Sequence, residues 1–253
     1  MNRQLPPPNF NKARNFPHLA VSRLPLETIL DTLTLKGVDV AYTEFSEQTL
    51  KRGTIKLDNL RGKILNVTND SLQLTKRSHA LADLYASVMG AGKLNMKIDF
   101  HLQDPQGRFD YKGNIGAMDL KILNPLATNL GLVAIESGRV RRIDFAATGN
   151  RNGANGTLTM LYDDLIIELL KKEEGKIKQK GFLSFLANNV LVINNNPRKA
   201  GDPVRTGKIE FVRPMTSSFF NLLWKSIFTG IRETVGIGVV PMKKPPSPKK
   251  VKK

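Results

Sequence analysis

With 253 residues, no cysteine and a net charge of +17, this chain can build one large domain or two small ones, excludes disulfide and thiol chemistry, and suits an anionic partner. Hydrophobic residues make up 40%, well above the disordered range, yet no run approaches the roughly 18 apolar residues that a membrane-spanning helix needs.

Residues 1–24 carry Pro6-Pro7-Pro8 and Pro17 among Arg3, Lys12, Arg14 and Arg23, and they read as an extended basic arm without an apolar run of signal-peptide length. Strand signals follow in the 25–215 region. Leu33 and Leu35 alternate with polar residues, and Val38, Val40 and Tyr42 alternate in the opposite phase. The slip at Lys36-Gly37 predicts a glycine-permitted bulge. The pattern continues through Ile55 and Leu57, then Ile64, then Leu72 and Leu74. Residues 78–90 have helix-like composition, but Ala82, Leu84, Ala86 and Val88 also alternate, so periodicity leaves both forms open.

The clearest strand is 93–104. Leu94, Met96, Ile98, Phe100 and Leu102 form one apolar face against Lys93, Asn95, Lys97, Asp99, His101 and Gln103. Asp104-Pro105-Gln106-Gly107 predicts a turn into a partner strand over 108–118. Asn124-Pro125 opens a short helical or coiled connection. A second strand pair, 135–149 and 155–170, flanks Gly149-Asn150-Arg151-Asn152-Gly153, and its apolar phase flips at Asp163-Asp164. Lys171–Lys180 reads as a charged loop; Val190–Ile193 and Ile209–Val212 read as closing strands.

Thr216 to about Val235 is the one strong helix. Phe220, Trp224, Ile227, Ile231 and Val235 share a face, flanked by Leu223 and Phe228, with Asn221, Lys225, Thr229 and Arg232 opposite. Residues 237–253 form a tail with Lys243, Lys244, Lys249, Lys250, Lys252 and Lys253 among prolines. A helix bearing Phe219, Phe220, Trp224, Ile227, Phe228 and Ile231 before such a tail suits an anionic membrane or a partner surface. It equally suits packing over the sheet.

Catalytic patterns are thin. His18, His79 and His101 lack metal-ligand spacing, and His101 lies on a wet strand face, so no metal site is expected. Asp163 and Asp164 are adjacent on a strand and point to opposite faces. GAGK at 90–93 lacks the rest of a phosphate-binding loop. Neither an enzyme nor a cofactor is expected. With 7% aromatic residues, nucleic acid ranks below lipid as a partner.

Residues 37–66, GVDVAYTEFSEQTLKRGTIKLDNLRGKILN, resemble the repeating β unit of bacterial AsmA-like proteins. Residues 124–170 resemble them more closely, through Pro125, Ser137-Gly138, Gly156 and Tyr162-Asp163-Asp164-Leu165. The stretches SFLANNVLVINNNP and SSFFNLLWKSIFTGIRETVG resemble the family's C-terminal end. The likeness covers roughly residues 30–240 and consists of many weak positions.

The resemblance implies a long, curved, mainly antiparallel all-β sheet with an apolar groove, here with a C-terminal amphipathic helix over 216–236. It implies strand for residues 78–90. It also implies a Gram-negative cell-envelope protein of the periplasm or inner-membrane surface, handling phospholipid for outer-membrane homeostasis, with envelope proteins as further partners. The family's usual N-terminal anchor has no counterpart in this sequence. On this expectation Leu94, Met96, Ile98, Phe100 and Leu102 line the groove. The rivals are a basic closed β-sandwich that binds a polyanion such as nucleic acid or anionic glycolipid, and a scaffold for envelope assembly. Charge substitutions at Ile98 and Phe100 that spare both folding and activity would favour the scaffold.

Overall fold

The computed structural model describes residues 15–173, 176–179 and 192–237. Its frame is one antiparallel sheet, and eight of its strands lie side by side in the order β1 (Ile29–Ser46), β2 (Lys51–Thr68), β3 (His79–Val88), β4 (Gly92–His101), β5 (Phe109–Ile115), β7 (Val133–Asn150), β8 (Gly153–Glu173) and β10 (Thr206–Val212). The short β6 (Met118–Asp119) pairs with β7, and β9 (Lys176–Gln179) pairs with β8. Helix α1 (Pro17–Val21) precedes β1, α2 (Ser71–Lys76) and α3 (Asn124–Gly131) sit in connections, and α4 (Phe219–Thr234) follows the last strand.

Alternation carries across the sheet in register. Ile98 of β4 lies opposite Tyr111, which lies opposite Ala147, then Gly156, then Ile209. The adjacent row runs Met96, Gly113, Phe145, Leu158 and Gly207. Each row mixes rings and branched chains with glycine or alanine, and the small positions leave the inner face room for a helix.

That helix forces the sheet to curl. Seven strand spacings of about 4.8 Å would separate β1 from β10 by about 34 Å if the sheet were flat. Yet α4 reaches Tyr42 of β1 through Asn221 at 2.9 Å, Tyr111 of β5 through Ser226 at 2.6 Å, and Gly207 of β10 with Gly230. Asn221 and Gly230 are only about 14 Å apart along a helix. The sheet therefore wraps around α4, as the curved architecture requires.

The bulge at Gly37 is present, with φ +60° and a register shift between Leu35 and Val38. Residues 79–88 are strand despite their helical composition, because pairing with β2 and β4 buries Ala80, Ala82, Leu84 and Val88. The phase flip at Asp163-Asp164 is a bulge in β8, with Asp164 at φ +54°.

Four expectations differ. Leu72 and Leu74 lie in α2, whose first turn is capped by the Asp70 carboxylate accepting from the Gln73 N–H at 2.7 Å. Residues 171–173 and 176–179 pair as a hairpin instead of forming a loop, because backbone pairing makes no demand for apolar alternation. Val192 and Ile193 are not strand; Ile193 is fixed instead by its N–H to the Val235 carbonyl and by its own carbonyl to the Tyr162 hydroxyl. The arm contains helix α1, started by Pro17 at its first turn, while its first 14 residues lie outside the described range.

Phe16 and His18 plug one end of the inner face. Phe16 is fully buried and meets the rings of Phe109 and Phe219, and the Arg213 guanidinium lies 5.5 Å from its centroid. His18, 4% exposed, packs 5.1 Å from the Phe100 ring. Burial holds its pKa below the ordinary value and His101 pushes the same way, while the Gly107 backbone and Asp104 oppose. A group with a lowered folded pKa leaves the unfolded chain with more bound protons as pH drops below about 6.5, so stability falls there and rises with pH through that window. We expect the melting temperature of the parent to fall more steeply between pH 7.5 and pH 5 than that of His18→Leu. Parallel slopes would show that His18 is not the acid-sensitive contact.

Candidate functional site: the inner face and its helix

The predicted groove row is the centre of the core. Leu94, Met96, Ile98 and Phe100 are 3–8% exposed, and Leu102, one residue beyond β4, is half-buried. Phe100 lies under Phe219 at 5.8 Å between ring centroids, so α4 and the Phe16 plug cover this part of the face. A charge at Ile98 or Phe100 would therefore be buried and would test folding before it tested any ligand.

The helix meets the sheet on a different side from its largest residues. Its buried positions are Asn221, Leu222, Leu223, Ser226, Gly230 and Thr234. The docked side is rich in small residues because the sheet already projects Phe100, Phe109, Tyr111 and Phe145 toward it. At the sheet, Tyr111 and Ser226 exchange a hydrogen bond; burial pushes the Tyr111 phenol up to about 12, with the Ser226 bond pulling the other way.

The stripe of Phe220, Trp224, Ile227, Phe228 and Ile231 lies to one side of this docked surface. Phe220, Ile227 and Ile231 are half-buried against the core, and Phe228 is 38% exposed beside Trp224 at 5.8 Å between rings. The Trp224 indole N–H has no acceptor among the described residues. Phe219, grouped with these residues on sequence grounds, instead belongs to the aromatic cluster with Phe16, Phe100 and Phe109. The tail lysines Lys243, Lys244, Lys249, Lys250, Lys252 and Lys253 lie outside the described residues.

The two margins of α4 are held differently. On the β8–β10 side the fit is close: a Cβ on Gly230 would lie 2.8 Å from Leu158, and one on Gly207 would lie 2.2 Å from the Gly230 carbonyl oxygen. On the β1 side the hold is polar. Lys225 pairs with Glu44, and the Asn221 amide donates to Glu44 at 3.2 Å and to the Tyr42 hydroxyl at 2.9 Å.

Nearer the start of β1 the inner face is uncovered among the described residues. Leu33 pairs with Ile64, which pairs with the inward Ala82, so Leu33 faces inward; Val38 shares a face with Val40 and Tyr42. Leu33 and Val38 are each 40% exposed, and Leu35, Val40, Leu60 and Ile64 around them are half-buried. Alternation in β1 already marked these residues as apolar-faced; that they lie where the cover ends depends on where α4 docks. No family model, curated protein or solved structure matches this chain.

Proposed function

We propose that this protein is a non-enzymatic cell-envelope protein that shelters or passes phospholipid along the apolar inner face of its curved sheet, as its resemblance to AsmA-like proteins implies. The observation that carries this reading is the apolar inner face at Leu33 and Val38, which is left uncovered among the described residues. Each acyl methylene buried there contributes about 0.8 kcal/mol, so a modest length of chain is held without any specific head-group contact. The Trp224–Phe228 stripe offers a further apolar surface on α4. Loss of the Glu44–Lys225 and Asn221 contacts would free the β1 side of α4 while Gly207 and Gly230 keep the helix on the sheet.

The setting proposed is the periplasm or inner-membrane surface of a Gram-negative bacterium. Among the described residues no helix is long and apolar enough to cross a membrane. The excess positive charge of the chain favours approach to anionic lipid.

Mass spectrometry of the organic extract from protein purified out of a Gram-negative host tests the reading. We expect near-stoichiometric phospholipid with the parent and its loss with Leu33→Glu/Val38→Glu, whose partly exposed positions tolerate charge. Binding should also change little with salt, unlike capture of a polyanion. A folded parent that carries no lipid would overturn the reading.

A further inference from the structure

The outer face of the sheet carries a constellation unrelated to the apolar face. His79 of β3 lies directly opposite His101 of β4, with ring centroids 4.3 Å apart. Asp99, two residues before His101, reaches diagonally to His79, and its Oδ1 lies 2.6 Å from His79 Nδ1. The same diagonal recurs one strand over, where Asp110 of β5 lies 2.7 Å from His101 Nε2. Asp110 is further tied to Thr148 and to Arg108, and Asp99 stands opposite it in the β4–β5 register.

We propose that His79, Asp99 and His101 form a binding site for a divalent transition-metal ion of the zinc class. The ligand atoms these three residues offer lie within 4.8 Å of one another. A tetrahedral ion with bonds of about 2.0–2.1 Å needs its ligand atoms roughly 3.3 Å apart, so side-chain rotation of an ångström or two closes the set. Two imidazoles and one carboxylate are the donor types that favour zinc, cobalt, nickel or copper over magnesium or calcium.

The surroundings assign the fourth residue of the cluster, Asp110, a different part. Asp110 accepts from His101 Nε2, which orients the ring and leaves Nδ1 as the ligand atom, the arrangement by which a carboxylate supports a metal-bound histidine. His79 coordinates through Nδ1 in place of its contact with Asp99, and its ring proton moves to Nε2. Asp99 then turns from His79 to the ion, which neutralises a carboxylate facing Asp110. With three protein ligands on two paired strands, a fourth position remains for water or an external donor. All three side chains are partly exposed, so the ion has a path in from solvent.

The test is calorimetric titration of Zn2+ into tag-free, metal-stripped full chain at pH 7.5. We expect saturable binding of one ion per chain, a loss of at least 10-fold in affinity for His79→Gln and for His101→Gln, and a smaller loss for Asp110→Asn. Asp83→Asn, on the same outer face, should bind as the parent does. Titration of Co2+ into the unmodified chain gives a check that needs no variant: tetrahedral visible bands support the site. A cobalt spectrum identical to that of the aqueous ion, or unchanged zinc affinity in a folded His79→Gln/His101→Gln double variant, would overturn it.

Discussion

Replacing Gly207 by valine unseats α4. A Cβ at this position would lie 2.2 Å from the Gly230 carbonyl oxygen and 2.6 Å from Thr234 Oγ1, and the helix backbone cannot rotate aside as a side chain could. The helix must lift away from β10, and every contact along the docked side loosens with it, from Leu222 to Thr234. Overpacking of a filled interior ordinarily costs about 1–3 kcal/mol, and a clash with backbone belongs at or above the top of that range. For a domain with about 5–15 kcal/mol in total, the urea midpoint should fall visibly and Trp224 fluorescence should shift to the red. A variant with the parent's midpoint would mean that α4 is not seated through this glycine.

A comparable loss is expected for Phe109→Ala. Its ring is fully buried and meets five others: Phe16, His18, Phe100, Tyr111 and Phe219. Removing a buried phenylalanine costs about 3–5 kcal/mol, through lost burial and the cavity that remains. The cavity here would open where the α1 plug, the sheet and the start of α4 meet, so three separate parts of the chain lose their common contact. Phe45→Ala supplies the contrast, because Phe45 is 49% exposed at the β1 edge and should change stability by less than about 0.5 kcal/mol. Equal effects of the two substitutions in chemical denaturation would contradict the aromatic cluster as the organising contact.

Strand pairing was largely legible because period-two alternation is a local property that needs no knowledge of the partner. The bulge at Gly37, the turn at 104–107 and the phase break at Asp163-Asp164 each leave a mark within a few residues. What covers the sheet was not legible. The hydrophobicity of Phe220, Trp224 and Ile227 gave the helix a clear oily side, but docking is decided by shape. The sheet presents large rings, so Ser226, Gly230 and Thr234 make the closest approach. For the same reason the row at Leu94–Phe100 could be recognised as apolar without revealing that it lies under a helix. The histidine pair was hidden by sequence distance, although a signal existed. Once the β3–β4 turn is centred on Gly90, residues equidistant from it must face each other, and His79 and His101 satisfy that condition.

The wrapping of the sheet around its last helix has a consequence during synthesis. The bond from Asn221 to Tyr42 joins residues 179 positions apart, and Ser226 to Tyr111 spans 115. Such non-local contacts slow folding, because the chain must close long loops before it gains from them. A ribosome adding about 5–20 residues per second finishes β8 at Glu173 about 3–12 seconds before it finishes α4 at Thr234. During that interval the nascent sheet carries a bare oily surface competent for aggregation. By docking after the strands it covers, α4 thus withdraws the centre of their oily face from that hazard.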